Sequence, residues 1–345
     1  MRNDDGQVRA RITLGHSDIT LRPIGLGCMT MSQSYGDADR DESLATLREA
    51  IDIGVGMFDT ADVYGAADAA FGAPSKGFGH NEELLGEAIA GRRDEVVVAT
   101  KFAVQMGPEG AVRLVGTPAY VTEACEASLR RLGTDHIDLY YCHRQDPTVP
   151  IEETVGAMGE LVAQGKVRAI GHCELTVDEL RRAHATHPLS ALQSEYSLWE
   201  RSVEDSGVVA ACRELGITLV PYSPLGRAML TGRIQRGREF AATDFRSLLP
   251  RFRGEGLDRS IDLVEQLREF AAGKGAAPGQ VALAWLLAQP LDVVPIPGTK
   301  RATYLRENTD ATGTALSADE VARLGTLFDR PGVPGGRYSE SGDGR

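Results

Sequence analysis

The sequence predicts a (β/α)8 TIM barrel with a short N-terminal β-hairpin and additional C-terminal helices. Short apolar runs alternate with amphipathic stretches of helical period almost to the end of the chain. Eight strand-plus-helix units of this kind favour closure into a parallel barrel over an open doubly wound sheet. No G-x-G-x-x-G opens any unit. Gly25-Leu26-Gly27 lacks the third glycine and the following CMTM does not start a helix, so a Rossmann reading is rejected.

After a polar start, ARITLG and DITLR read as a hairpin turning at His16-Ser17-Asp18. PIGLGCM is the first barrel strand, followed by a helix through DESLATLREAIDIG. GMFDT and helix NEELLGEAIAG come next, then EVVVATK with TPAYVTEACEASLRRLG, and IDLYYCH with IEETVGAMGELVAQG. VRAIGHC pairs with helix TVDELRRAHATH, and SALQSEY with one helix through SVEDSGVVAACRELG. ITLVPYSPL leads by a long loop to helices LDRSIDLVEQLREFAAGKG and PGQVALAWLLAQ, then strand DVVPIPG and a final pair of helices. Helix ends carry their usual punctuation: Thr117-Pro118 as N-cap and first residue, Pro278 as first residue, and glycine after helices at Gly54, Gly133, Gly165 and Gly216. One domain over residues 1–345 is expected, with its core at roughly 10–330 and a flexible tail at 331–345. The stretch 65–80 is longer than the usual 2–6 residues of a βα connection. A lid over the active face and a neutral surface insertion both fit it.

The length of 345 residues suits one such barrel, and 42% hydrophobic with 25% charged residues is ordinary for a soluble globular chain. A net charge of −12 argues against non-specific binding to nucleic acid or anionic membranes. Cys28, Cys125, Cys142, Cys173 and Cys212 are odd in number and unpaired in spacing, as expected of reduced thiols. There is no apolar signal-type segment at the start and no run near the ~20 apolar residues of a membrane helix. A cytoplasmic protein is expected.

Asp59, Tyr64, Lys101 and His143 sit in FDTADVYG, VVVATKF and DLYYCHRQD, each after a run that reads as a strand. A carboxylate, a phenol, an ammonium and an imidazole at the C-terminal ends of successive strands can form one proton-donating site. Reduction of a carbonyl by hydride needs such a donor, because tyrosine alone is a weak acid at neutral pH.

FDTADVYG, ATKF, YYCHRQDP, IGHCE, LQSEYS, VPYSPLGR and IPGTK with its following EN together resemble the aldo-keto reductases, over roughly residues 10 to 330. The likeness is strongest to the bacterial, plant and fungal branch with a short C-terminal tail. It implies NADPH-dependent reduction of an aldehyde or ketone, a small-molecule carbonyl substrate, and no metal or flavin. Tyr64 matches the general acid. Lys101 is expected to favour its anion by charge, Asp59 to hold Lys101, and His143 to donate a hydrogen bond to the carbonyl oxygen. Gln193 and Cys173 match the residues that hold the nicotinamide carboxamide, with a thiol at a position usually held by serine. Tyr222 matches the aromatic stacked on the ring, and Cys28 and Met29 lie under the cofactor in relatives.

For the phosphates the resemblance points to the loop Ser223, Leu225, Gly226, Arg227 and Arg233. Gly298, Thr299 and Lys300 match the segment that meets the adenosine 2′-phosphate, and Glu307 and Asn308 match the adenine contacts. NADPH is therefore preferred to NADH, although Tyr304 stands where some relatives carry an arginine. Potassium-channel β subunits are similar too, and they bind nicotinamide nucleotide while acting chiefly as partners. A redox sensor or regulatory subunit with little turnover is thus the alternative function. A zinc site from Cys142-His143 and His172-Cys173 is not supported: neighbouring strand residues face opposite ways, so each dipeptide offers one ligand at most. Nothing in the sequence indicates a homo-oligomer, and the loops that would select a substrate (65–80, 234–256 and the tail) do not reveal it.

Overall fold

The computed structural model describes residues 8–66, 75–107 and 111–329. The hairpin comes first, β1 (Ile12–Thr13) antiparallel to β2 (Thr20–Leu21) with Ile12 opposite Leu21. Its apolar side chains Ile12, Leu14, Ile19 and Leu21 are buried, and Gly15 N–H donates to Thr218 Oγ1 at 2.9 Å. Thr218 opens a barrel strand, so the hairpin closes the N-terminal end of the barrel.

The barrel strands are β3 (Leu26–Gly27), β4 (Phe58–Asp59) and β5 (Val98–Phe102). A separate antiparallel pair follows, β6 (Val104–Met106) with β7 (Val112–Leu114). The barrel resumes with β8 (Ile137–Cys142), β9 (Val167–Cys173), β10 (Ala191–Glu195) and β11 (Thr218–Tyr222). These run parallel in the order β11-β10-β9-β8-β5-β4-β3. Around them lie α1 (Arg40–Asp52), α2 (His80–Ile89), α3 (Pro118–Leu132), α4 (Ile151–Ala163), α5 (Val177–Thr186), α6 (Ser202–Asp205) and α7 (Val208–Leu215). After the last of these strands come α8 (Gly254–Gly273), α9 (Pro278–Leu287), α10 (Ala302–Thr309) and α11 (Ala318–Leu327).

Closure is made by 292–298, the predicted strand DVVPIPG. On one side Val294 and Ile296 donate to Leu219 and Pro221, and on the other Gly25 and Gly27 donate to the carbonyls of Pro295 and Pro297 at 3.0 and 3.3 Å. The prolines lack the N–H that a regular ladder needs. The segment therefore appears only as isolated bridges, Gly27 to Gly298 and Leu219 to Val293. Close approach explains two strand glycines. A side chain at Gly27 would stand 2.9 Å from the Ile296 carbonyl, and one at Gly171 would stand 2.6 Å from the Tyr141 ring.

Two features depart from the expected elements. The helix through 202–216 is broken into α6 and α7 at Gly207, which takes φ +81°. The β6–β7 hairpin was not foreseen, although V-Q-M and V-R-L flanking GPEG carry the alternation and turn residues of one. The tail 331–345 and most of the insertion, 67–74, lie outside the described residues. The main apolar core runs from Ile12 to Phe328, between the strand barrel and the helices packed around it. Among the described residues no helix is long and apolar enough to cross a membrane.

Candidate active site

Asp59 ends β4, Lys101 lies in β5 and His143 follows β8, so adjacent strands deliver all three to one end of the barrel. Tyr64 reaches them from the turn after β4. Its N–H donates to the Ala61 carbonyl, and its own carbonyl accepts from Asn81 N–H at the start of α2. Asn81 is buried and ties the surroundings together: its Nδ2 donates to the Cys28 carbonyl and Ser32 Oγ, while its Oδ1 accepts from Thr60 Oγ1. In the sequence this residue is no more than a polar side chain at a helix start.

Lys101 is completely buried. Its Nζ donates to Asp59 Oδ1 at 2.5 Å, to the Thr60 carbonyl at 2.8 Å and to Tyr64 Oη at 3.2 Å. Asp59 Oδ2 accepts from Gln193 Nε2 at 2.7 Å. Burial works against the ammonium, but the influences opposing it, led by the charge of Asp59, hold the Lys101 pKa above its ordinary value. Burial raises the Asp59 pKa, opposed by Lys101 and Gln193. The pair stays ionised, since neutralising one member would strand the other charge in the barrel.

The Lys101 charge favours the Tyr64 anion, as expected, but burial is the larger influence. Burial pushes the Tyr64 pKa up to about 12, and the nearby ammonium only partly offsets that desolvation. The hydroxyl therefore keeps its proton at neutral pH. His143 lies edge-on to it, ring centroids 5.8 Å apart at 85°. Burial first, then Lys101 and Arg144, hold the His143 pKa well below the usual imidazole range, so the ring is neutral. Among the described residues its Nδ1 is a buried polar atom with no hydrogen-bond partner.

A cleft of about 900 Å³ opens over this group. Of the candidate cofactor residues, Met29, Gln193, Tyr222, Ser223, Leu225, Arg227, Arg233, Gly298, Thr299, Lys300 and Asn308 line it. Cys28, Cys173, Gly226 and Glu307 do not. Cys28 and Cys173 are 1% exposed beneath the surface, and burial raises both thiol pKa values, Cys173 to about 12. A side chain at Gly226 would stand 2.8 Å from the Trp199 ring, so this glycine shapes its loop through packing. Glu307 instead pairs with Arg233 at 2.6 Å.

The cations are more engaged than their sequence positions implied. Arg227 forms a buried pair with Glu195 at 3.1 Å, and Arg233 stacks on Tyr304, 4.5 Å from its centroid. Lys300 Nζ donates to the carbonyls of Tyr35 and Gly36 at 3.1 and 3.2 Å and to that of Asp37, with no carboxylate partner among the described residues. Two cleft-lining loops also join directly, Phe245 N–H donating to the Ser34 carbonyl at 3.0 Å. In the loop after β11, Ser223, Gly226, Arg227 and Ala228 all take positive φ, between +48° and +75°. These residues make a tight turn at the cleft wall, closed by Gly226 N–H donating to the Ser223 carbonyl at 2.9 Å. Among the described residues no three His, Cys, Asp or Glu side chains are placed to hold a metal ion. His172 is buried and neutral, its Nδ1 2.9 Å from the Cys173 carbonyl.

The family model for the aldo/keto reductase family matches residues 23–328. The NADP(+) aldo-keto reductase yakc of Schizosaccharomyces pombe is 41% identical over 324 residues, covering 92% of each chain. Among solved structures, a glycerol dehydrogenase from Gluconobacter oxydans superposes with a TM-score of 0.82 at 26% identity, over 92% of this chain and 95% of that one. A thermostable aldo-keto reductase in complex with the inhibitor epalrestat gives 0.72 at 30% identity, over 92% of this chain and 100% of that one.

Proposed function

Since the chain belongs to the aldo/keto reductase family, whose model spans residues 23–328, we propose that it reduces an aldehyde or ketone to the alcohol with NADPH. The observation that carries the reading is the Lys101 ammonium bonded at once to Asp59 and, at 3.2 Å, to the Tyr64 hydroxyl at the base of the cleft. The cofactor is supported by the yeast relative, which is named for NADP(+), and by the fit of the cleft. The turned loop 223–228 would take the pyrophosphate. Tyr222 would stack on the nicotinamide and Gln193 would hold its carboxamide. The half-buried Lys300, whose pKa burial and neighbouring Lys76 both lower, would gain from a 2′-phosphate, with Thr299 and Asn308 beside it. Bound there, NADPH would supply hydride from its nicotinamide C4 to the carbonyl carbon.

The chain's own residues do the rest. Tyr64 holds a proton at Oη and passes it to the carbonyl oxygen, and Lys101 stabilises the phenolate left behind. Donors of this kind contribute about 10²–10⁴-fold. Neutral His143 has one ring N–H to give, and directed at the same oxygen it orients the carbonyl and stabilises developing negative charge. In the reverse direction the phenolate is the base. The relative named a glycerol dehydrogenase makes a hydroxylated substrate the rival to a simple aldehyde.

The test follows NADPH oxidation at 340 nm with 4-nitrobenzaldehyde, a reactive probe. Turnover that is absent without aldehyde is expected. Tight NADPH binding with no oxidation of it by any carbonyl would favour the regulatory, non-turnover alternative.

A further inference from the structure

Tyr64 belongs to a small apolar cluster set apart from the barrel core. Ala61, Val63 and Ala66 are buried with it, and Met29, Val104 and Met106 pack on them half-buried. The last two come from β6, so the hairpin that follows β5 stands against the acid itself. Met29, Val63, Val104 and Met106 all line the cleft, and at its lip β7 adds Val112, 64% exposed. Exposed apolar area at the mouth of the cleft favours an apolar group of a ligand over a polar one. Two polar side chains that line the same cleft, Gln33 and Arg144, are each bonded to backbone. Gln33 Oε1 accepts from Gly65 N–H at 2.8 Å, and Arg144 Nη1 donates to the His143 carbonyl at 2.7 Å.

We propose that the β6–β7 hairpin is the specificity element and that the substrate carries an alkyl or aryl group on its carbonyl, seated against Met29, Val104, Met106 and Val112. The inference rests on the carbonyl-reductase reading and names its substrate class. Hydroxyls of a sugar or glyceraldehyde lying against these four side chains would meet no strong donor or acceptor, and would give up water bonds without full replacement. Methionine at two of the four positions suits alkyl groups of varied shape, because its unbranched chain adapts to them.

The experiment measures kcat/KM with NADPH for propanal, butanal, hexanal and octanal, and for glyceraldehyde and erythrose, with 4-nitrobenzaldehyde as the reference. Each early methylene is expected to raise kcat/KM about fourfold. The hydroxylated aldehydes should fall at least tenfold below aliphatic ones of equal carbon number. The octanal-to-propanal ratio of kcat/KM should fall at least tenfold in Val104→Ser/Met106→Ser. It should fall about threefold in Val112→Ser, where the residue is too exposed for the change to disturb folding. Turnover of the reference with no chain-length dependence, or with glyceraldehyde preferred, overturns the pocket assignment alone. No turnover of any carbonyl removes the reductase reading and this inference with it.

Discussion

Replacing Lys101 by methionine probes the buried pair from both its structural and its chemical side. Methionine keeps the length and apolar volume of the lysine stem, so the change removes chiefly the charge and its donors. The lost contacts are those to Asp59 Oδ1, the Thr60 carbonyl and Tyr64 Oη at 2.5, 2.8 and 3.2 Å. Asp59 keeps Gln193 but loses its cation partner, the only one among the described residues, inside a buried site. Breaking a buried pair by removing one member costs about 3–5 kcal/mol. The loss should depend on pH. In the variant the folded-state pKa of Asp59 is raised above its unfolded value near ~3.9. A raised carboxyl contributes its full stability below the unfolded pKa and loses it as pH rises through the folded one, by at most about 1.4 kcal/mol per pH unit. Urea unfolding of both proteins at pH 5 and pH 8 is the assay. The stability gap should be wider at pH 8. An equal gap at both values would mean that no uncompensated carboxylate had been left inside the barrel, and the ion pair would lose its assigned role.

Other outcomes follow from the same site. Because the pKa of His143 is held well below its usual range and that of Tyr64 is pushed up to about 12, kcat/KM for reduction should be level from pH 6 to 9. An inflection near 6.5 would show that His143 titrates and is not the neutral ring described. Lys300→Ala should raise KM for NADPH at least tenfold and that for NADH less than threefold. Equal rises would make Lys300 a clasp for the carbonyls of residues 35–37 and not a phosphate ligand.

Most of the barrel was legible because each strand and helix announces itself locally, through apolar period and helix-end residues. The eighth strand was legible in DVVPIPG even though its prolines prevent a regular ladder. The β6–β7 hairpin was missed because three-residue strands hardly register in a periodicity reading, and Gly207 because a glycine inside a helical pattern does not say whether it breaks the helix. The four candidate catalytic residues were legible as types at strand ends, and the structure brings them together. What a sequence does not carry is pairing and desolvation. It marks Arg227, Arg233 and Lys300 as cations but not that Glu195, Glu307 and a set of backbone carbonyls already engage them. Likewise it marks Lys101 beside Tyr64, but not that burial outweighs the ammonium in setting the phenol's pKa.

Tyr64→Phe removes one oxygen from the site and leaves the ring in its apolar cluster, so it separates proton donation from packing and from cofactor binding. Turnover of 4-nitrobenzaldehyde should fall at least ~100-fold, with NADPH affinity, read by fluorescence titration, unchanged within about threefold. A variant that turned over at near the parent rate would place the proton source elsewhere and undo the role given to the Lys101–Tyr64 contact.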